Sequence, residues 1–338
     1  MRLLKYFSII ALIFAIAFYI RQGQPRYRSF EGRVFGTFYH IKIRTAKKDS
    51  GLHQRIRDEL ALINAQMSVF DAESEISAIN RAEAGHDIVL SDNMRELLRL
   101  AQTVYRQSGG AFDPTVGPLV DLWGFGPARP ERQPSEEEIV QTLRHVGFDK
   151  LRFDRTFKTV HKTDGRVSLN LSAVAKGFGV DKVASLLEKE GYRNYIVEIG
   201  GEVRVSGFRD DSGTPWTLGV REPRENGANA LTLDVTDCAV ATSGDYQNYK
   251  TGADGSRYAH TISPQTGYPV KNALASVTVF ADSCAAADAY ATAMMSMGFE
   301  QAENFAAEHD ISAVFFTHGA DGGFVKSFSE RAAGLLGE

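Results

Sequence analysis

Cysteine is almost missing from this chain: Cys238 and Cys284 are the two thiols among 338 residues. Two thiols cannot build a four-cysteine zinc site, an iron–sulfur cluster or a disulfide framework, so any metal site must rest on oxygen or nitrogen ligands. An excess of positive charge is missing too. Lys and Arg number 38 against 42 Asp and Glu, and the net charge of −4 gives no whole-molecule field to draw the chain to nucleic acid. Apolar runs of membrane-spanning length are missing outside the N-terminus, which excludes a multi-span membrane protein. Low-complexity stretches and repeats of 20–50 residues are also absent. Neither G-x-G-x-x-G after a strand nor a Walker lysine loop occurs, so Rossmann and P-loop nucleotide binding are not indicated. Ser91-Asp92-Asn93 and Lys250-Thr251-Gly252 mimic two penicillin-recognising signatures, but S-x-x-K fails because Ser172 and Lys176 lie four apart. What remains, with 43% hydrophobic and 24% charged residues, is the composition of an ordinary globular protein.

The N-terminus stands apart from that average. Arg2 and Lys5 precede an apolar stretch from Tyr6 to Ile20, and Arg21 ends it. A signal-peptide core runs to roughly 7–15 residues and a spanning helix needs about 20, so the segment falls between the two. Cleavage after Ala15-Ile16-Ala17 would leave apolar Phe18-Tyr19-Ile20 on the mature chain, and no cysteine follows directly for lipid attachment. The reading favoured is an uncleaved signal anchor over residues 1–21 and a tether over 22–29. A single catalytic unit over 30–338 then lies on the outer face, because positive charge before the segment stays inside.

Along that unit, hydrophobic spacing predicts a strand over 30–44 interrupted at Gly36, and helices over 53–68 and from Ser91 to near Gly109. Gly- and Pro-rich irregular structure is expected over 112–134, followed by a capped helix from Ser135 to about His145. Strands are expected near 150–154, 157–161, 166–170, 195–208, 215–221, 229–242, 274–281, 311–317 and 322–328, with helices over 174–190, 284–298 and on to about 309. Hairpin-length gaps argue for an α+β fold, with mostly antiparallel or mixed sheets flanked by helices.

Five segments bear on the chemistry. In SCAAADAYATAMMSMG (283–298), Asp288, Thr292 and Ser296 recur at i, i+4 and i+8 and share one face of a helix that is otherwise small and apolar. Such a stripe either faces water or offers oxygen ligands to a hard cation, with Mg²⁺ favoured over zinc. In RYAHTISPQTGYP (257–269), a short strand runs into a turn that presents Arg257 and His260. From type alone a lone histidine is usually structural, and Arg257 suits either a phosphate or a surface carboxylate. SLNLSAVAKGFGVD (168–181) leads polar side chains and glycines into a helix N-terminus, where Lys176 either serves a phosphate or is solvated. Gly109-Gly110-Ala111-Phe112-Asp113-Pro114 and Glu198-Ile199-Gly200-Gly201-Glu202 allow close backbone approach, and structural use of the second glycine pair is favoured.

Taken together, AFDPTVGPLVDLWGFGP (111–127), NLSAVAKGFGVD (170–181), ATSGDYQNY (241–249), HTISPQTGYP (260–269) and AADAYATAM (286–294) resemble, in family order, the ApbE family of FAD:protein FMN transferases. The likeness runs from about Gly32 to near the C-terminus. It implies a T-fold-related catalytic unit that cleaves FAD and transfers FMN to a Ser or Thr hydroxyl of a target flavoprotein, with AMP leaving. It also implies Mg²⁺ held by the carbonyl of Ala173 and the side chains of Asp288 and Thr292. Where some members carry a second carboxylate before the threonine, this chain has Ala291. For FAD, the resemblance points to Phe35, Phe70, Ala111, Phe112, Asp113, Asn170, Lys176 and Ile262. Asn170 and Lys176 replace acids of some relatives and make the site less negative. His260 is then the candidate proton acceptor and Arg257 a secondary phosphate contact. An acceptor in a membrane electron-transfer complex and an inner-membrane location facing the periplasm are expected by the same resemblance. FAD hydrolysis or non-catalytic flavin binding are the alternatives.

Overall fold

The computed structural model describes residues 25–128, 130, 132–224, 227–245, 249–251 and 257–336. The expected anchor over 1–21 and residues 22–24 of the expected tether lie outside the described residues, as do residues 246–248, whereas residues 26–29 of that tether already belong to a strand.

Two antiparallel strands, β1 (Arg26–Val34) and β2 (Thr37–Thr45), open the chain. The gap at Gly36 is a two-residue hairpin turn in which Phe35 (φ 52°) and Gly36 (φ 75°) both take left-handed backbone, as a type I′ turn requires. Helices α1 (Leu52–Met67), α2 (Glu75–Arg81) and α3 (Asp92–Gln107) follow, with Ser91 capping α3 through the Met94 N–H at 3.2 Å. Between α2 and α3 lies a short strand, β3 (Ile88–Val89). The Gly- and Pro-rich segment contains one short helix, α4 (Gly117–Leu122), where no regular element was expected. Next come α5 (Glu136–Leu143), held by a complete Ser135–Glu138 capping box, and strands β4 (Leu151–Phe153) and β5 (Thr159–Lys162), with β5 between β3 and β4 in a small antiparallel sheet. Residues 166–170 form no strand. A single parallel bridge from Ser168 to Val116 takes its place.

The second half supplies α6 (Ala175–Lys189) and strands β6 (Tyr195–Ile199), β7 (Glu202–Ser206), β8 (Trp216–Arg221), β9 (Asn229–Val235), β10 (Cys238–Gly244), β11 (Tyr249–Thr251), β12 (Arg257–Ala259) and β13 (Leu274–Ala281). Helices α7 (Cys284–Met297) and α8 (Phe299–Glu308), strands β14 (Ser312–His318) and β15 (Phe324–Phe328), and α9 (Glu330–Leu336) complete it. The long strand expected over 195–208 is a hairpin broken at Gly200-Gly201, because an antiparallel neighbour can follow after two residues. The one expected over 229–242 instead breaks at Thr236-Asp237 into strands of different sheets, β9 pairing with β8 and β10 with β7 and β13.

Eight strands form one antiparallel sheet in the order β1-β2-β6-β7-β10-β13-β14-β15. On one face, Ile41, Ile43, Tyr195 and Val197 pack under α1 and α6 through Ile56, Leu60, Val180 and Leu187. Farther along, Val277, Val279 and Phe315 pack under α7 and α8 through Ala287, Met294 and Phe305. The β8–β9 hairpin covers part of the other face through Val220 and Leu233 against Val314 and Phe316. Strand β13 is buried on both sides over residues 274–279, with Ser276 and Thr278 as buried as Val277 and Val279.

A second layer completes the unit. Met94, Leu97, Leu98 and Val104 of α3, with Ile76 and Ile79 of α2 and Phe148, Leu151 and Val160 near the small sheet, pack on Phe178 of α6 and on Ala285, Ala289 and Ala293 of α7. Helix α7 thus lies between two cores, which is why it is apolar on nearly every side and built from alanine. Both cysteines are free, Cys284 buried on α7 and Cys238 half-buried at the start of β10.

Candidate functional site

Asp288 sits on the central helix and is 3% exposed, so this carboxylate does not face water, while Thr292 and Ser296 on the same stripe are half-buried. Three contacts place it. Ser283 caps α7 by accepting the Ala286 N–H at 3.1 Å. The carboxylate of Asp181, on α6, accepts the N–H groups of Cys284 and Ala285 at 3.0 and 2.9 Å. Gly177 then lets the two helices touch: a Cβ there would lie 2.4 Å from the Cys284 carbonyl oxygen. The Gly177 N–H donates to Asp288 Oδ2 at 3.1 Å. Burial pushes the Asp288 carboxyl above the ordinary range, opposed by the nearby Lys176 charge and that N–H. Asp288 forms no salt bridge among the described residues.

Lys176, one residue before Gly177 in the first turn of α6, pairs instead with Glu202, the first residue of β7. Glu202 is 2% exposed, with Oε1 on the lysine and Oε2 buried without a hydrogen-bond partner among the described residues. Burial raises the Glu202 carboxyl further than the lysine lowers it, and the charge of Asp288 adds to the rise. The same two carboxylates hold the Lys176 ammonium above its usual range. Sequence reading took Gly200-Gly201 as a structural turn and passed over Glu202. An acid at an inward-facing strand start was the available signal.

One turn along α7, the half-buried Thr292 hydroxyl lies 3.2 Å from Ser243 Oγ on β10. Ala173, half-buried, is in the loop that leads into α6. The donor set expected for a hard cation is therefore a carbonyl, a carboxylate and a hydroxyl. No cluster of three or more His, Cys, Asp or Glu that would hold a metal occurs among the described residues. A buried carboxylate with no salt-bridge partner beside oxygen donors fits a hard divalent cation and does not fit a soft one.

Residues 111–117 run beside 168–172. The Asn170 N–H donates to the Pro114 carbonyl at 2.7 Å, and Asn170 Oδ1 accepts the Ser172 N–H at 3.0 Å. Asp113 is buried and committed inward. It accepts the Thr115 N–H and hydroxyl at 2.8 and 2.6 Å and the Phe148 N–H at 3.1 Å. Its carboxyl is pushed up to about 6 by burial, against those hydrogen bonds. Phe112, 2% exposed, is a core residue whose ring has no open face, and Ala111 is buried beside it. Of the three aromatics expected to meet a flat ring, Phe70 is 62% exposed and Phe35 is half-buried, so only these two present surface. Phe35 lies on α6, where a Cβ at Gly179 would come within 2.6 Å of its ring.

The segment 257–269 reaches the same region through Trp123. The indole N–H donates to the Gly267 carbonyl at 2.8 Å, and the ring packs on Tyr258 and Tyr268. Gln265 donates to the Gly109 carbonyl at 3.2 Å. Ile262 is buried with Leu119 and Ile139, and its backbone bridges to Pro269 to close the turn. His260 is half-buried just beyond β12, the strand that begins at Arg257. Contacts therefore chain the five motif segments together: 111–117 to 168–172, Gly177 to Asp288, Ser243 to Thr292, and Trp123 to Gly267. A groove of about 550 Å³ between β1 and α1, lined by Arg33, Tyr39, His53 and Arg57, contains none of the expected site residues.

Fold and site define an α+β unit in which a buried carboxylate, an ammonium and oxygen donors converge at two helix N-termini. The ApbE family model matches residues 35–315. The chain belongs to the ApbE family. It is 36% identical over 333 residues to the FAD:protein FMN transferase of Haemophilus influenzae, covering 95% of each chain. To that of Vibrio cholerae it is 38% identical, over 86% of this chain and 87% of the other. Among solved structures, the flavin transferase ApbE from Vibrio cholerae superposes with a TM-score of 0.83 at 35% identity, covering 92% of this chain and 99% of that one. The flavinyl transferase ApbE of Pseudomonas stutzeri gives 0.85 at 32% identity, over 93% and 98%.

Proposed function

We propose that this protein is a Mg²⁺-dependent FAD:protein FMN transferase. It cleaves the FAD pyrophosphate, attaches FMN by a phosphoester bond to a Ser or Thr hydroxyl of an acceptor flavoprotein, and releases AMP. The observation that carries the reading is the chain of contacts that joins the five motif segments, with Gly177 holding buried Asp288, together with family membership over residues 35–315.

The Ala173 carbonyl, Asp288 and Thr292 would hold Mg²⁺, whose chemistry when bound is to neutralise the phosphate oxygens and the charge that builds on the leaving AMP. Lys176 offers a fixed ammonium to the pyrophosphate, with the first-turn amides of α6 favouring the same negative charge. Phe35 and Phe70 offer aromatic surface to the flavin or adenine ring, while Ala111, Phe112, Asp113, Asn170 and Ile262 shape the walls. The attacking hydroxyl belongs to the acceptor, so this chain needs no nucleophile. It needs a base within reach of that hydroxyl, the role assigned to His260, with Arg257 steadying the phosphate.

The acceptor is proposed to be a subunit of a membrane electron-transfer complex. The chain is proposed to reside at the inner membrane through residues 1–21, with its catalytic unit on the periplasmic side. Among the described residues no helix is long and apolar enough to cross a membrane. Incubation with FAD, Mg²⁺ and a candidate acceptor domain tests the activity. Transfer yields AMP and a fluorescent acceptor band that survives denaturing electrophoresis. AMP with free FMN would show a hydrolase, and FAD bound but intact would show a binding protein.

A further inference from the structure

Lys176 has two acids within its electrostatic reach and is bonded to one. Asp288 and Glu202 both act on the ammonium, and Lys176 directly precedes Gly177, whose N–H reaches Asp288. The salt bridge is nevertheless made to Glu202, and Asp288 keeps a neutral backbone donor from Gly177 at 3.1 Å. Glu202 belongs to neither the expected metal ligands nor the expected FAD contacts. It is 2% exposed, enters from the sheet at the start of β7, and leaves Oε2 buried without a hydrogen-bond partner among the described residues. Burying an acid so incompletely satisfied costs several kcal/mol, a cost that surface use of the residue would not explain.

Resting on the metal site of the function proposed above, we propose that Glu202 is a positioning residue that draws the Lys176 ammonium away from Asp288 and so leaves that carboxylate open to the divalent cation. Without the Glu202 charge, the ammonium's remaining acidic neighbour is Asp288. An ammonium on Asp288 competes directly with Mg²⁺, since both need the same carboxylate lone pairs. Placing the counter-ion on the sheet, rather than on the helix that carries the ligand, keeps the lysine near the phosphates without blocking the metal.

The test is Mg²⁺ binding followed by calorimetry on the full chain without FAD, alongside the Mg²⁺ dependence of flavin transfer. Glu202→Gln should weaken Mg²⁺ by about tenfold to a hundredfold, the range usual for residues that orient a metal ligand. Lys176→Met should bind Mg²⁺ more tightly than the wild type, because the competing cation is gone. The decisive variant is the double replacement Lys176→Met with Glu202→Gln, which should recover the affinity lost in Glu202→Gln. A merely structural glutamate would give no such recovery. Should Glu202→Gln not fold, the Lys176→Met arm decides, and unchanged or weaker Mg²⁺ binding there overturns the proposal. Equal Mg²⁺ affinity in wild type and Glu202→Gln, or no recovery in the double variant, also overturns it and leaves the transferase reading intact. A wild type that transfers flavin yet binds no Mg²⁺ removes the metal site and this proposal together.

Discussion

At the scale of single residues, the acids in this protein do different work according to what surrounds them. Asp113 is saturated by Thr115 and Phe148 and stitches two loops together. Its carboxyl titrates near 6 rather than the ordinary 3.8 because it is buried. Between about pH 4 and 6 the folded protein therefore holds a proton that the unfolded chain releases, and stability falls as pH rises through that window. The whole effect amounts to about 3 kcal/mol. Asp113→Asn cannot ionise, so denaturant unfolding across pH 4–6 should show a flatter slope than the wild type. An equal slope would show that other groups set the trend. His260 carries the chemical prediction at this scale. His260→Ala should abolish flavin transfer while leaving FAD binding in place, measured by product formation and by equilibrium titration of flavin fluorescence. Unimpaired transfer would remove it from the role of base.

Among the elements, the contact between α6 and α7 controls the site. Gly177 has no room for a side chain against the Cys284 carbonyl, and its N–H is the backbone donor to Asp288. Gly177→Ala should force the helices apart, with a loss of about 1–3 kcal/mol typical of overpacking, read by thermal or denaturant unfolding. Because the same residue holds Asp288, the apparent Mg²⁺ requirement should rise with it. A stable variant with an unchanged Mg²⁺ response would mean that the helices have slack at this contact. The periodicity that places Asp288, Thr292 and Ser296 on one face was legible in the sequence. What that face meets was not, because an alanine-rich helix reads the same whether one side is wet or both sides are packed. Likewise the hydrophobic run over 195–208 does not disclose a hairpin, nor the run over 229–242 a break between two sheets. Two-residue turns leave little mark on a hydropathy pattern, and Gly200-Gly201 alone admits several uses.

For the molecule as a whole, the first described strand begins at Arg26 and is an edge strand that needs nothing before it for its pairing with β2. Removal of residues 1–21 should therefore leave the fold intact and shift the protein from the membrane fraction to the soluble fraction, with flavin transfer to a soluble acceptor domain retained. Cell fractionation and the transfer assay check both halves. A truncated chain that still sediments with membranes would place the attachment elsewhere on the surface.

The shortage of cysteine, the single apolar run and the order of five short motifs were properties of the sequence by itself. They were enough to exclude thiol-held metals, to set the α+β class and to name the family, because composition and local patterning need no knowledge of distant contacts. The partners of each charged group were decided by tertiary structure alone. Residues 26 positions apart, Lys176 and Glu202, and residues 111 apart, Gly177 and Asp288, meet because α6 and α7 pack against each other on the same sheet. Electrostatics and hydrogen bonding act over a few ångströms, and only the folded chain brings those separations within range.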